Sequence, residues 1–306
     1  MVAFATRGGD EDALPEQPRE RCGPATTSRR PYADDSPFNV RVPADAETDP
    51  RSAELVADVA AVGAARGFVL SVRRWTVPVY DADAATPRFD VRFGAEWADG
   101  RGLAAVPVPP EAEPDPEDDA HLVVVDREAG CEWDFWGAER DGDGLSALWG
   151  ARLPLGGSGV DPRGLSARAS GFALLAGLVS PDELRAGRID HALVFNYPHV
   201  RREAFVPPAT STDGRSDRAT ALSMGMRLQL DPALDLDALE LRPWERTIAR
   251  ALQEYGMLLA DSGGAIGLYA AHPQSLPAGA YDGLLPDGEY APLDGIPLER
   301  LRVVKP

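Results

Sequence analysis

Apolar residues in this chain come in short runs of four to six, each ending near glycine, proline, aspartate or serine. Runs of that length are too brief for core helices and fit strands instead. They predict strands at Phe68–Val72, Phe89–Phe93, Leu122–Asp126, Glu132–Trp136, His191–Asn196, Met226–Leu230, Met257–Ala260 and Ile266–Ala270. Turn residues at Glu128–Gly130 predict a hairpin joining Leu122–Asp126 to Cys131–Trp136, and Asp261-Ser-Gly-Gly264 predicts another between Met257–Ala260 and Ile266–Ala270.

Three segments read as helices. Asp49 is a suitable N-cap, Pro50 suits a first turn, and Leu55, Val56, Val59 and Val62 form one apolar stripe until Gly63 and Gly67 weaken the helix. Ser180-Pro-Asp-Glu183 is a capping-box pattern ended by Gly187. A third helix runs from Pro243 to Tyr255, with Gly256 as its left-handed cap. Helix–strand alternation is too sparse for a doubly wound sheet, so the expected fold is mainly β: an antiparallel β-sandwich or jelly-roll-like barrel with about three peripheral helices. Residues 1–30, polar and without apolar period, read as a disordered N-terminal arm, and residues 31–306 as a single β-rich globular domain.

Charge narrows the partners. A formal net charge of -18 opposes the counterion release that drives nucleic-acid binding and is repelled by anionic lipid. No run is long enough to cross a bilayer, so no membrane insertion is expected. Lys305 is the only lysine and Asn39 and Asn196 the only asparagines, a bias that either high-GC coding or salt adaptation produces. The start of the chain has no apolar signal core, leaving a cytoplasmic protein or one whose signal has been removed. Cys22 and Cys131 could form one long-range disulfide in an oxidising compartment.

The signatures of nucleotide-binding loops, zinc proteases, redox CxxC pairs and Gly-x-Ser-x-Gly hydrolases are absent, and no cofactor or metal is expected. Gly156-Gly-Ser-Gly159 reads as a turn. Asp141-Gly-Asp143-Gly144 begins like a calcium loop, but Leu145 stands where the next oxygen ligand belongs. The acidic stretch Pro109–Asp119 reads as a solvated connector, with a divalent-cation site as the alternative.

The densest polar and aromatic segment, Asp190–His199, places His191 on a strand with Tyr197 and His199 near its exit. An imidazole there could serve as acid or base, or be a buried histidine bonded to backbone. Among the carboxylates, Asp134 lies between Trp133 and Phe135, an environment expected to raise its pKa, while Asp213 and Asp261 open turns before glycine. Arg227 alternates with apolar neighbours and could bind substrate or form an internal ion pair.

A series of motifs resembles an uncharacterised family of mainly secreted bacterial β-rich proteins, frequent in actinobacteria. It comprises Ser36-Pro-Phe-Asn39, His121-Leu-Val-Val-Val-Asp126-Arg127, Gly177-Leu-Val-Ser-Pro-Asp-Glu183 and Gly187-Arg-Ile-Asp-His191-Ala-Leu193. It continues through Pro208-Ala209, Asp213-Gly214, Gly225-Met-Arg-Leu-Gln-Leu-Asp231 and Ala251-Leu-Gln-Glu-Tyr-Gly-Met257 with Asp261. The resemblance covers most of residues 36–270 and implies an extracellular setting, not a reaction. In two respects the chain departs from the pattern: no signal peptide is visible, and Pro207–Thr210 lacks a histidine found in some relatives.

Fold class and the mix of acids with aromatics point to a carbohydrate-active protein, a glycan hydrolase or lyase acting on a polysaccharide or oligosaccharide. Asp134, His191, Asp213 and Tyr197 are its expected catalytic groups. Arg227, Trp133, Trp136, Trp149, Asp261 and His199 are its expected substrate contacts. The alternatives are a non-catalytic glycan-binding or surface-interaction module, and a structural domain whose polar strand residues pair internally.

Overall fold

The structure, a computed structural model, describes residues 21–28 and 30–306. In chain order its strands are β1 (Phe68–Ser71), β2 (Val79–Asp81), β3 (Arg88–Arg92), β4 (Gly102–Pro107), β5 (Leu122–Asp126), β6 (Cys131–Asp141) and β7 (Gly144–Pro154). They continue as β8 (Leu193–Tyr197), β9 (Val200–Phe205), β10 (Leu222–Met224), β11 (Arg227–Leu230), β12 (Met257–Ser262), β13 (Ile266–Tyr269), β14 (Tyr290–Pro292) and β15 (Leu301–Val304). The α-helices are α1 (Ser52–Arg66), α2 (Pro181–Ala186) and α3 (Pro243–Glu254).

The protein is mainly β, with layered sheets, three α-helices and no closed barrel among the described residues. A seven-stranded sheet runs β14-β1-β13-β8-β12-β11-β15, and a four-stranded sheet runs β2-β5-β6-β7. Seven of the eleven strand pairings are antiparallel; β1–β13, β8–β12, β2–β5 and β9–β10 are parallel. Strand alternation decides the layering. Val123, Val125, Ala151 and Leu153 share one core with the seven-stranded sheet, whereas Leu122, Trp133, Phe135 and Leu145 form a second core with Val91 and Val106 of the β3–β4 hairpin.

The hairpin predicted at Glu128–Gly130 joins β5 to β6. Met257–Ser262 and Ile266–Tyr269 do not pair with each other, because β8 lies between them and bonds to both. Helix α1 continues past Gly63 to Arg66: a side chain at Gly63 would come within 2.2 Å of Leu298 Cδ1, so this glycine serves a close approach and not a helix end. The helix also starts later than the sequence suggests: Arg51, not Asp49, is the N-cap and makes no side-chain cap bond, Pro50 lies before the first turn, and Asp49 Oδ1 instead accepts from Arg51 N at 2.7 Å in the turn leading into the helix. The Ser180–Glu183 capping box is formed, and Gly187 takes the left-handed conformation at φ 66°.

Of the arm expected over residues 1–30, residues 1–20 and 29 lie outside the described residues. From Arg21 the chain is tied to the β5–β6 turn, with Cys22 N donating to Ala129 O at 3.0 Å and Thr26 N to Arg127 O at 2.9 Å. A Cys22–Cys131 disulfide locks this contact across 109 positions. Closing so long a loop restricts the unfolded chain, so Cys22→Ser should lower the free energy of unfolding by about 2–4 kcal/mol. Urea titration with and without reductant checks this: reductant should destabilise the native chain and leave the variant unchanged.

Candidate functional site

Between the middle of β6 and β7 and the end of β12, a cavity of about 580 Å³ opens between the two large sheets. The four-stranded sheet supplies Trp136 and Trp149, directly opposed across β6 and β7. Period-two alternation explains the placement: Glu132, Asp134 and Trp136 follow one another on the face of β6 that looks into the inter-sheet layer. Gly137, at φ 60°, ends that run where a side chain would collide with Leu148. Trp97 approaches from a 3-10 turn at Glu96–Ala98, its ring 4.5 Å from that of Trp149, and stays 53% exposed as an open apolar platform. Arg101 stacks on Trp149 at 4.7 Å.

Facing these rings are three carboxyls. Asp261 stands near the end of β12, where the register with β8 shifts between Leu259 and Asp261; such a bulge redirects a side chain. Asp213 lies on a loop anchored by Thr210, whose N–H donates to Ser170 O at 2.9 Å and whose hydroxyl donates to Asp161 O at 2.6 Å. The Ser262 hydroxyl donates to Asp213 Oδ2, while Asp213 Oδ1 is buried with no hydrogen-bond partner among the described residues. Asp119 accepts from the Trp136 indole N–H at 3.3 Å.

Arg168 and His121 form the back of the cavity. Arg168 is 2% exposed and donates to the carbonyls of Ala173, Ala176 and Leu174 at 3.2, 3.2 and 3.4 Å, with its guanidinium over the Tyr269 ring at 5.0 Å. His121 is buried, and its imidazole has no hydrogen-bond partner among the described residues. Burial, seconded by the Arg168 charge, pushes His121 down to about 3, so the ring is neutral. The Asp261 carboxyl moves the opposite way. Although it keeps some contact with the cavity, it is ringed by protein, and burial followed by repulsion from Asp213 lifts it to about 8 against the opposing pull of Arg168. At neutral pH Asp261 therefore holds a proton.

Of the ten residues singled out from the sequence, Asp213, Asp261, Trp136 and Trp149 meet in this cavity, and the other six lie outside its wall. Asp134 is buried between the sheets and accepts from Leu174 N at 2.7 Å. Burial between the sheets raises its pKa against the opposing pull of Glu132, the Leu174 N–H and Arg168, and Trp133 and Phe135 point to the opposite face of β6. Trp133 is enclosed in the core beneath the β3–β4 hairpin. Arg227 donates to the carbonyls of Tyr255 and Pro37 at 2.6 and 2.5 Å, a half-buried backbone clamp with no acidic partner among the described residues.

Tyr197 and His199 both turn to Asp58 of α1, at 2.7 and 3.0 Å, and Arg218 holds its other oxygen at 2.7 Å. His191 sits with Nδ1 2.9 Å from Ala192 O and Nε2 2.9 Å from Glu183 Oε1. Both neighbours are acceptors, so both ring nitrogens carry hydrogen. Burial opposes that charge, but the Glu183 carboxylate outweighs it and the pKa is raised.

Sequence reasoning missed Asp119, His121, Arg168 and Trp97. His121 and Asp119 were legible only as flanks of a strand and of an acidic loop. That loop is more than a solvated connector: Asp115 is buried, Glu117 pairs with Arg74 at 2.8 Å, and Asp119 reaches the cavity. Asp141 and Asp143 occupy the β6–β7 hairpin tip, and no group of three potential metal ligands occurs among the described residues. Fold and site together define a mainly β protein with a tryptophan-lined carboxyl cavity. Protein-family models, curated proteins and solved structures contain no match to the chain.

Two outcomes follow. Folded Asp261 binds its proton more tightly than the unfolded chain, so its stabilising contribution is whole below its ordinary value of 3.8 and is lost as pH rises through about 8. Asp115, lifted to about 7 by burial, acts in the same sense. Melting temperature should therefore fall between pH 5 and 8, and Asp261→Asn should flatten the upper part of that decline. His191→Ala, by leaving Glu183 unpaired, should cost about 3 kcal/mol of stability in a denaturant titration.

Proposed function

We propose that the protein is a carbohydrate-active enzyme, a glycan hydrolase acting on a polysaccharide or oligosaccharide. The observation that supports this most is the meeting of the Asp261 and Asp213 carboxyls with three tryptophans in one cavity, where burial and the neighbouring Asp213 raise the pKa of Asp261. Sugar rings present apolar C–H faces that stack on indoles and hydroxyl edges that bond to carboxylates. Glycoside hydrolysis needs one carboxyl that keeps its proton at working pH and one that is ionised.

In this reading Asp261 donates its proton to the glycosidic oxygen as the bond to the anomeric carbon breaks. Asp213 takes a proton from the water whose oxygen bonds to that carbon. Repulsion between the two groups keeps the proton on Asp261 until it is transferred. The neutral His121 offers a nitrogen to a sugar hydroxyl, and Trp97 and Trp136 carry the rings, with Trp149 packed behind Trp97 as its support. Arg168 backs the cavity and sets its field. The setting we infer is extracellular, supported by the Cys22–Cys131 disulfide, since such bonds persist in oxidising compartments.

A screen of linear polysaccharides and aryl glycosides should find a cleaved substrate. On it Asp261→Asn and Asp213→Asn should each lose roughly 10²–10⁴-fold in kcat while binding is retained. For the native enzyme kcat/KM should fall as pH rises through about 8, where Asp261 loses its proton. Binding of glycans by the native chain without turnover would instead identify a non-catalytic module.

A further inference from the structure

The carboxyls do not sit at a dead end. Beyond Asp213 lies a second cavity of about 650 Å³, and Asp213, Arg215 and Ser262 are common to the walls of both. On its far side stand Pro198, Val200, Ser216 and Gly263. The backbone there is firmly held: Ser216 N donates to Val200 O at 2.8 Å, Arg202 N to Ser216 O at 3.0 Å, and Gly263 N to Tyr197 O at 3.2 Å. Gly263 has no room for a side chain, since a Cβ would meet the Asn196 amide at 1.8 Å. Arg215, on the dividing wall, is exposed, and its guanidinium makes no ion pair or hydrogen bond among the described residues, although the chain carries a net charge of -18.

We propose that the two cavities are successive subsites of one cleft, so that a linear glycan crosses Asp213 and is cut internally, not trimmed from one end. This rests on the hydrolase reading above and deepens it. The tryptophan-lined cavity grips one side of the chain by stacking. The second cavity, without tryptophan, takes the other side through hydroxyl contacts with Arg215 and Ser216. A site built for chain ends would close off beyond its carboxyls; here the wall holding Asp213 opens on both sides.

The test uses the full chain with xylan, mixed-linkage β-glucan, chitosan and polygalacturonate, together with their oligosaccharide series. On the cleaved polymer, viscosity should drop early and products of mixed length should appear; release of only mono- or disaccharide at unchanged viscosity overturns the proposal. Calorimetric affinity of the Asp261→Asn protein should rise by at least about tenfold once oligosaccharides grow long enough to enter the second cavity. Adding Ser216→Tyr, which fills only that cavity, should abolish the gain and leave the shortest ligand unaffected. Affinity independent of length would refute the cleft even if hydrolysis is found. A gain with length but no hydrolysis by the native chain would retain the cleft and refute the hydrolase, and neither binding nor cleavage would refute both.

Discussion

An arginine with almost no access to water holds the seam between the two large sheets. A buried guanidinium is tolerable only if its hydrogens find acceptors and opposite charge stands near. Arg168 meets most of that demand with the carbonyls of Ala173, Leu174 and Ala176 and with the face of Tyr269, its Nε alone left without a partner among the described residues, and it lies within the field of Asp134 and Asp261. Satisfying it curls residues 166–176 around the guanidinium, where Ser166 adds a hydroxyl bond to Phe172 O at 2.6 Å. The same curl presents residues 164–169 to the cavity. Through space, one charge helps to keep His121 neutral and limits how far Asp261 rises. Geometry and protonation at the site thus share a source.

Strand β6 links that seam to the cavity mouth. On its inward face Glu132 and Asp134 are enclosed, Glu132 accepting from the Tyr32 hydroxyl at 2.9 Å, and Trp136 emerges at the edge. On its outward face Trp133 and Phe135 join the apolar cluster beneath the β3–β4 hairpin, with Arg152 opposite Trp133 on β7. One strand therefore separates two environments, and the buried carboxyls belong to the layer that also contains Arg168. Low local dielectric strengthens their mutual coupling, as it does that of the Asp213–Asp261 pair.

Much of the fold was legible because it depends on local pattern. The run Leu122–Asp126 is a strand with the bounds its residues imply, and Ser180–Glu183 caps α2 through bonds between neighbours. What escaped was non-local. Nothing near Met257 or Ile266 tells that β8 will insert between them, and nothing near Arg168 announces its burial, since arginine among Ser, Ala and Gly reads as a surface turn. The site divides in the same way. Asp213, Asp261, Trp136 and Trp149 stood out by residue type, but their meeting depends on the packing of one sheet's β6 and β7 over the end of the other's β12. His191 and Tyr197 drew attention by density in one strand, yet α2 and α1 bring Glu183 and Asp58 to them and commit both to packing.

The cavity's chemistry stands in tension with its stability. A carboxyl kept protonated to about 8 is one the folded chain would stabilise better as an amide, because each rise in pH toward neutrality favours the unfolded state, where the charge is hydrated. Asp213 has an orphaned oxygen as well, and an apolar residue of similar volume would remove that cost. Internal ion pairing accounts for Asp58, Glu183 and Glu245, each of which has a cationic partner and a lowered pKa. It does not account for Asp261, whose largest charged neighbour is another acid. Two neighbouring carboxyls without a cationic partner of their own, beside an exposed Trp97, are what the ligand-binding reading proposed above draws on.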